Sequence, residues 1–215
     1  MKTSTITSQN KRLFSTKQIV ILGLFSALSY VLMLFHLPYK HLGFLELEFS
    51  DIPAVIVALQ YGPLSGVFVE LIKNLIKALT ATSTSGVGEL ANFLISSAFV
   101  IPVGFLYQLK NKKTLNENAK KSKSWNALYM VSIYGIGTIS FATMGALLNY
   151  FVMLPLYANI MGMDAIINMA AANVPSIKDV AGLVLIGITP FNIFKGIAMS
   201  AIGYYTYRLL RGRIL

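Results

Sequence analysis

Cysteine is absent from all 215 residues, so neither a disulfide nor a thiolate metal site can form. Charge is scarce as well: 12% of residues are charged, about half of what a soluble domain carries. Acids are the scarcer sign, with 8 against 18 lysines and arginines. The only histidines are His36 and His41, close together in one polar stretch. No HExxH is present, and the few scattered acids make no nucleophile or metal constellation, which leaves an intramembrane enzyme without equipment. No GxxxxGK[ST] loop occurs, so ATP hydrolysis is not a property of this chain.

Long apolar runs fill the space those absences leave. With 55% hydrophobic residues, the chain reads as an all-α integral membrane protein. Six spans are expected, at about residues 18–35, 52–59, 64–79, 88–109, 125–154 and 189–210, forming one membrane domain over 18–210. Residues 1–17 and 211–215 are tails. The first apolar run is too long for a signal-peptide core and lacks a small-residue cleavage site, so it is read as a retained helix.

The net charge of +10 has a topological explanation rather than a nucleic-acid one. Lys2, Lys11, Arg12 and Lys17 precede the first span, and Lys110, Lys112, Lys113, Lys120, Lys121 and Lys123 crowd one linker. Arg208, Arg211 and Arg213 close the chain. Six spans put all three groups on one face, which the positive-inside rule assigns to the cytoplasm, so the expectation is a multi-pass cell-membrane protein with both termini cytoplasmic.

Smaller signals set local expectations. Pro53 suits a first helical turn with Ser50 or Asp51 as cap. Pro102 predicts a kink, residues 110–124 a solvated linker, and Asp164 the cap of a short interfacial helix. Ser176 and Asp179 have capping-box spacing, although Asp replaces the usual Glu or Gln. Thr189 and Pro190 read as the start of the last span.

Ionisable groups inside apolar helices are costly and normally face a cavity or a partner. Lys195 and Asn192 share one face of the last span, about one turn apart. Either Lys195 snorkels to the headgroups or the pair lines an outward-facing pocket. Asn149, Glu89, Asn92, Lys73, Asn74, Lys77 and Asp51 fall at a similar depth, and some are expected to neutralise one another, Lys73 or Lys77 with Glu89 or Asp51. Between the first two spans, Leu45, Leu47 and Phe49 alternate with Phe44, Glu46, Glu48 and Ser50. This reads either as an interfacial anchor or as a strand-like extracellular lid with its acids facing water. Gly23 and Ala27 form a small-xxx-small face on the first span, for packing inside the bundle or against another protein.

The segments "LELEFSDIPAVIVALQYGPLSGVFVELIKNLIKAL", "GELANFLIS", "GALLNYFVMLPLY" and "TPFNIFKG" together resemble the riboflavin-specific S component of energy-coupling factor (ECF) transporters, the RibU family. The resemblance covers essentially everything after the N-terminal tail. It implies a six-helix subunit that captures a vitamin from outside and works with a transmembrane coupling subunit and two cytoplasmic ATPases. Riboflavin is then cargo, and no cofactor is implied. Asn149, Asn192 and Lys195 match positions that hydrogen-bond the flavin or its ribityl chain. Leu45 and Leu47 would cover the ligand, with Asn92 in the same outer polar set. Gly23 and Ala27 match a small-residue patch that docks on the coupling subunit, where the family more often has Ala at the first position. An S component for another vitamin and a standalone ion-coupled transporter are the alternatives.

Overall fold

The computed structural model describes residues 14–35, 40–43, 45–82, 85–117 and 123–213. Phe44, His36, most of the N-terminal tail and part of the basic linker lie outside them. Helix α1 spans Thr16–Leu34 and begins with a capping box, in which Ser15 and Gln18 satisfy each other's backbone N–H groups. Two-residue strands β1 (Lys40–His41) and β2 (Leu45–Glu46) form a small antiparallel hairpin. Then come α2 (Ile52–Tyr61), α3 (Pro63–Thr80) and α4 (Val87–Glu117). Helix α5 (Lys123–Leu148) runs through a π-helical turn at Asn149–Met153 into α6 (Leu154–Met161). Helix α7 is Met163–Asn173; the short α8 (Val180–Gly182) passes through a second π turn, Leu183–Ile188, into α9 (Thr189–Leu210).

Four of these stretches are long and apolar enough to cross a membrane: Thr16–Leu34, Val87–Lys112, Trp125–Met161 and Val180–Leu210. Their outward faces agree, since Val20, Leu24, Leu128, Val131, Ile139 and Ile197 are all exposed. The interior holds the charges instead, with Glu48, Asp51, Glu70, Lys73, Glu89 and Lys195 all buried. An apolar outside around an ionic inside suits a lipid solvent.

The expected second span is the exception. Helix α2 has ten residues, about 15 Å by helical rise, roughly half of a hydrocarbon core. From Ile52 to Leu59 it is buried on every side, so it is a core helix. At Gly62, with φ +100, the chain reverses, and Pro63 opens α3. The hairpin closes tightly because Gly66 lies against Ala54 and Ala58. Since α2 is so short, its N-terminal end and the loop before it sit inside the bundle rather than above it.

Several local expectations change. Asp51 holds the N-cap position of α2 but makes no capping hydrogen bond, because its carboxylate is used elsewhere. The 110–124 stretch is helical up to Glu117 and again from Lys123. Asp164 lies in the first turn of α7, and Gly162 is its N-cap. Asp179 caps α8 itself, accepting from Gly182 N at 2.6 Å.

Thr189 is not an N-cap. It continues a helix that began at Val180, so Lys195 lies well inside the bundle rather than six residues from an end. Both π turns lie immediately before a proline in the next segment, Pro155 after the first and Pro190 after the second. Proline removes one N–H and crowds the carbonyl four residues back, and a wider turn relieves both. That is how these two prolines are carried within continuous helices.

A polar cavity closed below by buried ion pairs

Three carboxylates and two ammonium groups meet at the buried end of α2. Lys73 Nζ lies 2.6 Å from Asp51 Oδ1 and 2.6 Å from Glu70 Oε2, all three side chains being sealed from solvent. Lys195 Nζ donates to Glu48 Oε1 at 3.0 Å and lies 3.1 Å from Asp51 Oδ2, the latter an ion pair without hydrogen-bond alignment. Ser50 accepts from Lys73, and Ser96 donates to Asp51 Oδ1 at 2.8 Å. Asp51 is thus the hub that ties the loop to α3, α4 and α9.

The predicted pairing of Lys73 with Asp51 is present. The predicted outward orientation of Glu48 is not, whereas Glu46 is half-buried. Glu48 and Ser50 are buried, because the short α2 draws this loop into the bundle. Snorkelling by Lys195 is likewise excluded: it is 7% exposed, with its ammonium in the ion cluster and 5.9 Å from the Phe141 ring centroid.

Above this cluster is a cavity of about 260 Å³. The loop, α3, α4, the α5–α6 helix and α9 all contribute to its wall. It brings together Leu45, Asn92, Asn149, Asn192 and Lys195, five of the residues singled out in the sequence, whereas Leu47 is not part of the lining. Glu48 at the floor and Phe141, Tyr157 and Phe191 on the walls are lining groups that sequence reasoning did not select.

Each amide is held by a local feature. Asn149 opens the first π turn, where its Nδ2 donates to Gly145 O at 2.7 Å. Asn192 sits two residues past Pro190 and packs directly on Gly145, where any Cβ would collide with its amide. Asn92 Oδ1 accepts from Ser96 at 3.1 Å, joining this wall to the Asp51 hub. The hairpin is pinned beside the cavity by His41, which stacks on Phe191 at 5.4 Å between ring centroids. Leu42, next to it, is fully buried in an apolar cluster with Ile177, Leu183 and Ile188.

Chemically, the cavity offers aromatic and aliphatic walls, three amides, the ammonium groups of Lys77 and Lys195, and the carboxylates of Glu46, Glu48 and Glu89. A cavity in which polar groups converge beside aromatic walls suits recognition of a small polar molecule with a flat apolar part.

Comparison with known proteins agrees. Residues 17–207 match the family described as ECF transporter, substrate-specific component. The chain belongs to that family. The riboflavin transporter FmnP of Bacillus subtilis (strain 168) is 33% identical over 189 residues, 86% of this chain and 87% of FmnP. The riboflavin transporter RibU of Staphylococcus aureus (strain TCH60) is 33% identical over 203 residues, 94% of this chain and 91% of that protein. A solved S component of a bacterial ECF transporter aligns with a TM-score of 0.57 at 28% identity, over 90% of this chain and 95% of the other. In this S component the small-residue face of α1 is open: Gly23 and Ala27 are exposed, and a Cβ at Gly23 would meet nothing within 4 Å. Packing of these two residues inside the bundle is therefore ruled out.

Proposed function

We propose that this S component captures riboflavin on the outer side of the membrane and delivers it inward with a coupling subunit and two ATPases. The observation that carries the reading is the convergence of Asn92, Asn149, Asn192 and Lys195 on one cavity beside aromatic walls. A planar flavin ring suits the walls formed with Phe141 and Phe191, and carbonyl and ribityl oxygens suit the amides and the lysine. Two relatives named as riboflavin transporters, each a third identical over most of the chain, point to the same ligand.

In this reading α1, the α2–α3 hairpin, α4, α5–α6 and α8–α9 complete a six-helix course with both termini in the cytoplasm. Leu45, which lines the cavity, and Leu47, two residues on, cover the bound ligand. Gly23 and Ala27 form the docking face for the coupling subunit, since a flat, small-residue helix face admits close approach of another helix.

Purified protein titrated with riboflavin tests the ligand. Saturable quenching of flavin fluorescence is expected, together with flavin absorbance that survives gel filtration. Quenching with no saturation, at protein concentrations where the fold is intact, would refute riboflavin as the ligand. ATP-dependent uptake in vesicles only when the partner subunits are co-reconstituted separates this mode from a standalone transporter.

A further inference from the structure

The largest cavity described is not the polar one. A groove of about 690 Å³ runs between α5 and α9 on the outer surface of the bundle. Its rim is apolar, formed by the exposed Val131, Ile139 and Ile197. At Gly135, one of its lining residues, a Cβ would meet nothing within 4 Å, so the open space there is real. Charge is confined to one end. Arg208 lines that end, exposed, with its guanidinium 5.8 Å from the Tyr204 ring centroid and no carboxylate partner among the described residues. By contrast Arg211, nearby, is engaged by the Tyr107 hydroxyl and the Tyr207 ring. Tyr134 also lines the groove, 7% exposed, and its hydroxyl has no hydrogen-bond partner.

We propose that the groove between α5 and α9 binds one acyl chain of an anionic phospholipid, with Arg208 holding its phosphodiester. The dimensions match: from Arg208 to Ile197 the helical rise is about 16 Å, against about 15 Å for one leaflet of hydrocarbon. A slot that is largely apolar, with Ser200 satisfied by its own helix at Gly196 O, and cationic at one end has the polarity of a lipid, whereas a protein helix would need no unpaired charge there. Antiparallel packing sets Tyr134 beside Tyr204, one turn deeper than Arg208, at the depth of the glycerol esters. Arg208 lies at the end that carries the C-terminal arginines, the side assigned to the cytoplasm. The proposal does not depend on which vitamin the S component carries.

The single tryptophan, Trp125, is not part of the groove lining, so the reporter is built in: Trp125→Phe removes it and Val131→Trp places one on the exposed apolar rim, and every variant below carries this pair. The protein is reconstituted in phosphatidylcholine vesicles containing chain-brominated phosphatidylglycerol or, separately, chain-brominated phosphatidylcholine at the same mole fraction. One arginine at an anionic lipid surface corresponds to about a fivefold preference, so brominated phosphatidylglycerol should quench this reporter as if about fivefold enriched. Arg208→Gln, a surface change that should leave thermal unfolding unaltered, should equalise the two lipids. Gly135→Leu should reduce quenching by brominated phosphatidylglycerol by filling the groove. Equal quenching by both lipids with Arg208 and Gly135 intact would overturn the proposal. So would a preference that survives Arg208→Gln, which would trace it to the other basic residues. Loss of quenching on adding a partner subunit would also overturn it, by making the groove a protein interface.

Discussion

Lys73 and Lys195 grip the same aspartate from two sides. Lys73 is sealed between Asp51 and Glu70 with no exposed side-chain surface. Lys195 pairs with Glu48 and Asp51 and also lines the cavity. The two residues have the same chemistry and are buried to a similar degree, but only Lys195 borders empty space. A lysine with carboxylates on every side serves the fold. One that also borders a cavity can serve a ligand, because an ammonium has three N–H groups and here only one donates to a carboxylate, that of Glu48.

The largest effect should come from Lys73. Lys73→Met leaves Glu70 without its cation and Asp51 with only Lys195, in a site that water does not reach. Removing one partner of such a pair costs about 3–5 kcal/mol. Thermal unfolding in detergent should show a large loss of stability, with ligand binding lost in parallel. Adding Glu70→Gln to Lys73→Met should recover part of it, since one orphaned charge is then gone. An unchanged unfolding temperature for Lys73→Met would remove the distinction between the two lysines.

Lys195→Met should be milder for the fold and harsher for recognition. Asp51 keeps Lys73, and Glu48 can hydrate from the cavity. A hydrogen bond from a charged group contributes about 1.5–3 kcal/mol, so riboflavin affinity should fall by about ten- to a hundredfold with a smaller stability change than in Lys73→Met. Fluorescence titration beside a melting curve reads both. If stability falls as far as in Lys73→Met while binding per folded molecule is unchanged, Lys195 is purely structural and the comparison fails.

The amides come next. Asn149→Ala and Asn192→Ala should each weaken riboflavin binding by about 1–3 kcal/mol, the cost of leaving a ligand polar group unpaired. Gly145→Ala sharpens this. It touches no ligand group, yet its methyl would displace the Asn192 amide. It should therefore mimic Asn192→Ala in titration, and wild-type affinity in Gly145→Ala would show that the position of that amide is not critical.

The part of the site carried on helices was readable from spacing. Asn192 and Lys195 follow helical periodicity, and Asn149 and Asn92 lie near the same end of their helices, so a polar set in apolar spans pointed to one place. The loop was not readable. Alternation from Leu45 to Ser50 assigns Glu48 to water, and nothing local reveals that the next helix is only ten residues long. That length draws the loop inward and turns Glu48 toward Lys195. The better signal was stoichiometric: a buried lysine needs an acid, and Glu48 and Asp51 are among only eight. The prolines misled for a related reason. Pro190 marks a helix start by propensity, but a π turn before it lets the helix continue, and propensity does not register that option.

The smallest effect on binding should come from the outside of α1, and there the contrast with the interior is greatest. Gly23 and Ala27 are exposed, with space beyond Gly23 where a side chain can go without meeting the bundle. Gly23→Leu with Ala27→Leu should leave riboflavin affinity and unfolding within about 0.5 kcal/mol of wild type, as surface substitutions generally do. If this face docks the coupling subunit, the same double variant should lose ATP-dependent uptake and co-purification of the partner subunits, because two leucines hold the helices apart where small residues let them touch. Binding and transport would then separate cleanly, which no interior substitution can achieve. A double variant that still assembles and transports would leave Gly23 and Ala27 as ordinary lipid-facing residues and move the docking surface elsewhere on the bundle.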